Sequence, residues 1–171
     1  CVKNIIPVIN TLVKVPVSIA NNGVRIDPET GESTIIIEET PKYHMMSYVA
    51  SKPKEGETAI GDSHSFSNNN DGTYITIISD GMGSGEEASS ESSLAVDLIQ
   101  KFIESGFSEK TAINTINSVM AMKFNEDEKF TTMDLGVVDL YTGDVEFIKI
   151  GGVVSFIKRG EEIKAVKSNT L

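Results

Sequence analysis

The hydrophobic period of this chain changes twice, and those changes limit its fold class more than any other feature. Thr73-Tyr74-Ile75-Thr76-Ile77-Ile78 is a run of β-branched and aromatic residues that suits a pleated strand. It runs directly into Ser79-Asp80-Gly81. From there the period is 3.6. Leu94, Leu98 and Phe102 lie on one stripe with Ile99 and Ile103 beside it, and Gly106 falls where a left-handed residue closes a helix. Ser84, with Glu87 three residues on, has the reciprocal pattern of an N-terminal capping box. A second helix is expected from near Ser108, with Ile113, Ile116 and Met120 on one face, fraying by Asn125. Beyond it the period falls to 2. Met133 to Leu140, Val145 to Ile150, Val153 to Lys158 and Ile163 to Val166 read as strands. Thr142-Gly143, Gly151-Gly152 and Arg159-Gly160 part them, as in an antiparallel meander. Strands, then helices, then strands predict an α+β fold rather than a parallel doubly wound sheet.

The first 57 residues read as β-rich runs with turn chemistry between them. Val13 to Ile19 alternates, Asn21-Asn22-Gly23 is a turn signal, and Asp27-Pro28 with Thr30-Gly31 is another. Ser33 to Ile37 and Tyr43 to Ala50 read as strands, and Ser51 to Gly56 as a loop. The 171 residues suit a domain with a real core, and 25 acidic against 15 basic residues give a net charge of −10. Such a chain repels polyphosphate, so nucleic acids and anionic membranes are excluded as first-choice partners. No apolar run approaches the roughly 20 residues of a membrane span, and no signal segment opens the chain. The single cysteine, Cys1, rules out an intramolecular disulfide framework or a cysteine-based metal cluster and suits a reducing cytoplasm. A chain opening on Cys1 rather than methionine and stopping at Asn169-Thr170-Leu171 reads as a piece of something longer.

Two segments could carry chemistry: Gly61-Asp62-Ser63-His64-Ser65 and Ser79-Asp80-Gly81-Met82-Gly83-Ser84-Gly85. The second stands between a strand and a helix, where a carboxylate is held rigidly and glycines allow close backbone approach. If both lie at adjacent strand ends, Asp62 and Asp80 converge. Convergent carboxylates repel unless a cation lies between them, and hard oxygen ligands favour magnesium or manganese. The competing reading is that each aspartate caps a turn. Other glycine-loop readings fail: a dinucleotide fingerprint needs glycine where Glu86 stands, and a P-loop needs Lys-Ser or Lys-Thr. Neighbouring Ser63 and His64 face opposite ways on a strand and make no catalytic pair. His44 and His64, the only histidines, are too few to hold zinc without carboxylates. Asp134 is a weaker metal candidate, Asp139 is expected to end its strand, and Asn125 to Lys129 reads as a solvated loop. The helices' apolar faces read as core, with Met120 and Met122 as the alternative docking face.

Gly61-Asp62-Ser63 followed by Ile78-Ser79-Asp80-Gly81-Met82-Gly83-Ser84-Gly85 closely resembles the metal-dependent serine/threonine phosphatases of the protein phosphatase 2C superfamily, and within it the branch that serves sporulation. The likeness continues through Ile103-Glu104-Ser105-Gly106, Glu109 to Ser118, Met133-Asp134-Leu135 and Ser155 to Gly160. It implies a sandwich of antiparallel β-sheets flanked by helices, here incomplete at the C-terminal end. It divides the chain into a regulatory lead-in, residues 1–57, and the first part of a phosphatase domain, residues 58–171. It implies that Asp80 bridges two manganese or magnesium ions, that the Gly81 carbonyl joins their shell, and that Asp62 sits beside them. The implied activity is hydrolysis of a phosphoserine on an anti-sigma-factor antagonist, by metal-activated water and without a covalent intermediate, in the cytoplasmic domain of a membrane-anchored parent. The family's later metal aspartates have no counterpart, since no aspartate follows Asp144. That implies weak metal binding, an inert fragment and open sheet edges that favour a homodimer. The alternative is a non-catalytic regulatory or dimerisation fragment.

Overall fold

The computed structural model describes residues 4–69, 71–81, 83, 85–123 and 132–168, with side chains of the last helix described as far as residue 119. The chain divides into two compact units, residues 1–44 and 45–171. The first holds helix α1 (Ile5–Val13) and an antiparallel hairpin of β1 (Val17–Ile26) and β2 (Ser33–Glu39). Helix α1 is a departure from the β-rich expectation. Pro7 falls in its first turn, where a missing N–H costs nothing. Lys14 closes it in a left-handed conformation, donating its N–H to the Asn10 carbonyl at 3.0 Å, and the Asn10 side chain accepts the Val17 N–H at 2.6 Å. Asn21-Asn22-Gly23 is no turn but a bulge inside β1, where the register slips between Ile19 and Val24 and Asn22 takes φ 58°. A Cβ on Gly23 would stand 2.7 Å from the Ala20 carbonyl oxygen.

The second unit is built on a four-stranded antiparallel sheet, in the order β3 (Asp62–Asn68), β4 (Thr73–Asp80), β5 (Thr132–Asp139), β6 (Val145–Ile150). Alternation along β4 sends Ile75, Ile77 and Ser79 to one face and Tyr74, Thr76, Ile78 and Asp80 to the other. On the first face lie α2 (Gly85–Glu104) and α3 (Glu109–Lys123). The core forms there from Ile75, Ile77, Met133 and Leu135 of the sheet with Ala95, Val96, Ile99, Ala112, Ile113 and Ile116 of the helices. Each large apolar side chain fully buried in it contributes roughly 1.5–3 kcal/mol. Leu94 is half-buried, Leu98, Phe102 and Ile103 pack at the core's rim, and the fully buried stripe of α2 is Ala88, Ser92, Ala95 and Ile99. Gly106 closes α2 as expected, with φ 89°, and Phe107 returns its N–H to the Phe102 carbonyl while their rings meet at 5.2 Å. Ser108 caps α3 by accepting the Thr111 N–H at 3.3 Å.

Two strand expectations change. Tyr43 to Ala50 has no ladder partner among the described residues and forms no strand, although the Tyr74 hydroxyl donates to Ser47 Oγ at 2.9 Å. The meander stops at β6: β7 (Ser155–Arg159) and β8 (Glu162–Val166) form a hairpin of their own. Gly151 and Gly152, both at positive φ, turn the chain out of the sheet there. Cys1, Met82, Ser84, the tract 125–129 and the side chains of Met120 and Met122 lie outside the described residues.

Candidate metal centre

The register of the β3–β4 pair sets Asp62 directly opposite Asp80, so the two acids share the end of one hairpin and the same sheet face. Both are exposed. The Asp80 carboxyl is pushed above the usual carboxylate range, chiefly by partial burial and then by the Asp62 side chain, which acts on it as hydrogen-bond partner and as like charge. A carboxylate pair left in that state favours a proton or a cation between its members.

The backbone around the pair is tied at several points. The Gly81 N–H donates to the Gly61 carbonyl at 3.2 Å, joining the residue after one acid to the residue before the other. The Asp80 N–H donates to Thr132 Oγ1 at 3.3 Å. From α2, Ser92 Oγ donates to the same Gly61 carbonyl at 2.6 Å. Position 81 has room for nothing larger than glycine, because a Cβ there would lie 2.2 Å from the Ala88 carbonyl oxygen of α2. Glycine at this place lets the helix backbone press against the strand end.

The remaining candidates lie elsewhere. Asp134 stands cross-strand from Lys149 and is paired with its ammonium, which also donates to Ser155 Oγ at 2.9 Å. That ion pair occupies one oxygen of Asp134; the other is buried without a hydrogen-bond partner among the described residues. Asp139 ends its strand as expected, accepting the Thr142 and Tyr141 N–H groups, which hold its carboxyl below the usual range. His64 shares a face with Asp62 and leans on Phe66 at 5.5 Å, while Ser63 points to α2 and meets Ser92. His44 is exposed. Among the described residues no three or more His, Cys, Asp or Glu side chains converge. Sequence reasoning missed Ser92 and Thr132, which reach the acidic pair's backbone only through helix packing and strand register, and Lys149, which register brings to Asp134.

A four-stranded antiparallel sheet with two helices on one face and an acidic pair at a strand end defines a domain of the protein phosphatase 2C fold. The model of the family described as "Stage II sporulation protein E (SpoIIE)" matches residues 70–171, and the chain belongs to that family. It is 41% identical over 132 residues to stage II sporulation protein E of Priestia megaterium, covering 77% of this chain and 22% of that protein. It is also similar to a solved structure of the PP2C phosphatase domain and a fragment of the regulatory domain of SpoIIE from Bacillus subtilis. There the TM-score is 0.75 at 32% identity, over 98% of this chain and 49% of that one. The fold extends to RsbX, solved in complex with magnesium, at TM-score 0.57 and 19% identity over 70% of this chain and 56% of that one. The chain therefore spans about half of the matched SpoIIE structure and about a fifth of the curated relative.

Proposed function

We propose that this chain is the first part of a metal-dependent serine/threonine phosphatase domain, acting on a phosphoserine of an anti-sigma-factor antagonist during sporulation. The observation that carries the reading is the cross-strand Asp62–Asp80 pair: partial burial, and then the facing Asp62 side chain, raise the Asp80 carboxyl, and a cation between the two relieves both. Asp62, Asp80 and the Gly81 carbonyl would hold manganese or magnesium, two ions in the complete domain. When bound, such ions supply charge neutralisation and an activated water for in-line attack on phosphorus. The chain's own part is positioning. Thr132 and Gly61 hold the strand ends, and the glycine at 81 brings α2 against them. Residues 1–57 are the regulatory lead-in of this reading, and a regulatory-domain fragment in the matched Bacillus structure supports that assignment.

The test is turnover of a phosphoserine substrate by the parent polypeptide with manganese, beside an Asp80→Asn variant. Loss of turnover in the variant supports the reading; equal turnover overturns it. A second reading, a non-catalytic dimerisation segment, is favoured by the sheet face away from the helices, where Ile78, Val145 and Phe147 are exposed. Elution from a sizing column that shifts with concentration, without any heat on adding manganese, would select it.

A further inference from the structure

We infer that Ser92 is a positioning residue of the acidic pair, acting through the Gly61 carbonyl; the inference rests on the metal-centre reading above. Ser92 is fully buried in α2, one helical turn beyond Ala88, the residue that Gly81 abuts. A buried serine inside a helix ordinarily returns its proton to a carbonyl of its own preceding turn. Here that acceptor, the Ser89 carbonyl, lies at 3.1 Å, whereas the Gly61 carbonyl lies at 2.6 Å. The single hydroxyl proton goes to the nearer acceptor, and the Ser63 hydroxyl, 2.8 Å away, donates in turn to Ser92 Oγ.

The Gly61 carbonyl thus uses both lone pairs. One takes the Gly81 N–H across the hairpin end, and the other takes the helix hydroxyl. Gly61 precedes Asp62 and Gly81 follows Asp80, so this one oxygen joins the two acid-bearing strand ends to each other and to α2. Without the hydroxyl, the Gly61 carbonyl keeps only its bond from Gly81, and the tie that fixes the β3 end beside Asp62 against α2 is lost. Among the described residues Ser92 makes no hydrogen bond to either acid. Its effect on ligand geometry passes through the backbone.

The experiment compares manganese binding by the wild type and the Ser92→Ala, Ser63→Ala and Asp80→Asn variants, from the free Mn²⁺ signal in paramagnetic resonance, with thermal melts of each metal-free protein. Ser92→Ala and Ser63→Ala each delete one hydroxyl of the same bonded pair, but only Ser92 reaches Gly61. Manganese affinity is expected to fall about tenfold in Ser92→Ala, the scale for losing a group that orients a metal ligand. It should stay at the wild-type level in Ser63→Ala despite a similar loss of melting temperature. Ser92→Cys, a weaker donor of similar shape, should fall between. Wild-type affinity in Ser92→Ala, or an equal loss in Ser63→Ala, overturns the inference and reduces Ser92 to packing. No binding by the wild type, or undiminished binding by Asp80→Asn, overturns the metal-centre reading and takes this inference with it.

Discussion

Replacing Asp80 by asparagine should make the metal-free chain more stable, the opposite of what loss of a turn-capping aspartate does. The register places residues 62 and 80 directly across the hairpin, where side chains stand about 4.5–5.5 Å apart at Cβ. Two unit charges at about 4 Å repel by about 1 kcal/mol in water and about 4 kcal/mol at an intermediate dielectric. Both residues are exposed, so the screened end of that range applies. Asparagine keeps the shape and can donate to Asp62, and the gain is about 1 kcal/mol, or roughly 3 °C in melting temperature for a chain of this size. The sign with pH follows from linkage. An acid whose folded pKa is raised binds more protons folded than unfolded, so its contribution falls as pH climbs from the unfolded aspartate value through the folded one. The variant's advantage should vanish in acid, open above the ordinary aspartate range and reach its plateau beyond the raised Asp80 value. Calorimetric melts across pH in chelator check this. With manganese at about ten times its dissociation constant, the wild type gains about 1.4 kcal/mol and the variant does not. A variant that melts lower than wild type in chelator, or a gap that does not change with pH, refutes the repulsion argument.

The other expectations concern the scaffold. Gly81→Ala drives a methyl into the Ala88 carbonyl at 2.2 Å and should cost about 1–3 kcal/mol in a urea titration while abolishing stabilisation by manganese. Lys149, whose side chain is only 4% exposed, neutralises Asp134, so Lys149→Met should cost about 3–5 kcal/mol by leaving a buried carboxylate unpaired. Adding Asp134→Asn to Lys149→Met should recover part of that loss, and no recovery would show that the two do not act as a pair. Ile99→Ala, at the centre of the core, should cost about 2–5 kcal/mol in the same titration.

The second half of the fold was legible because its elements announce themselves locally. The β4 run, the helix of α2 ending at Gly106 (though its buried stripe is Ala88, Ser92, Ala95 and Ile99 rather than Leu94, Leu98 and Phe102), and the glycine turns after Asp139 each need only neighbouring residues to explain them. Asp80 could be placed at a strand end for the same reason, whereas strand β3 was not read from the sequence and Asp62 could be set at a strand end only on the condition that the two segments lie side by side. What failed depends on partners distant in sequence. Tyr43 to Ala50 has a strand's composition, but no described strand pairs with it. Asn21-Asn22-Gly23 has turn chemistry, but continued pairing of Val24 with Ile35 makes it a bulge. Helix α1 was hidden by Pro7 and the β-branched residues around it, although the first turn of a helix tolerates proline. Ser92 reads as an ordinary polar residue in an amphipathic helix until the packing of α2 on β3 brings it to Gly61. Asp134 offers the same chemistry as Asp62 on paper, and only cross-strand register gives it to Lys149.

The β3–β4 hairpin works like a clothes peg. Its spring is the tight connection between Asn69 and Thr73, and its jaws are the far ends that carry Asp62 and Asp80. The jaws lie at the open end of the ribbon, held by the Gly81 and Ser92 bonds to the Gly61 carbonyl. Whatever grips both jaws shuts the whole ribbon, and its arrival should be recorded as slowed deuterium uptake at the Gly81 amide.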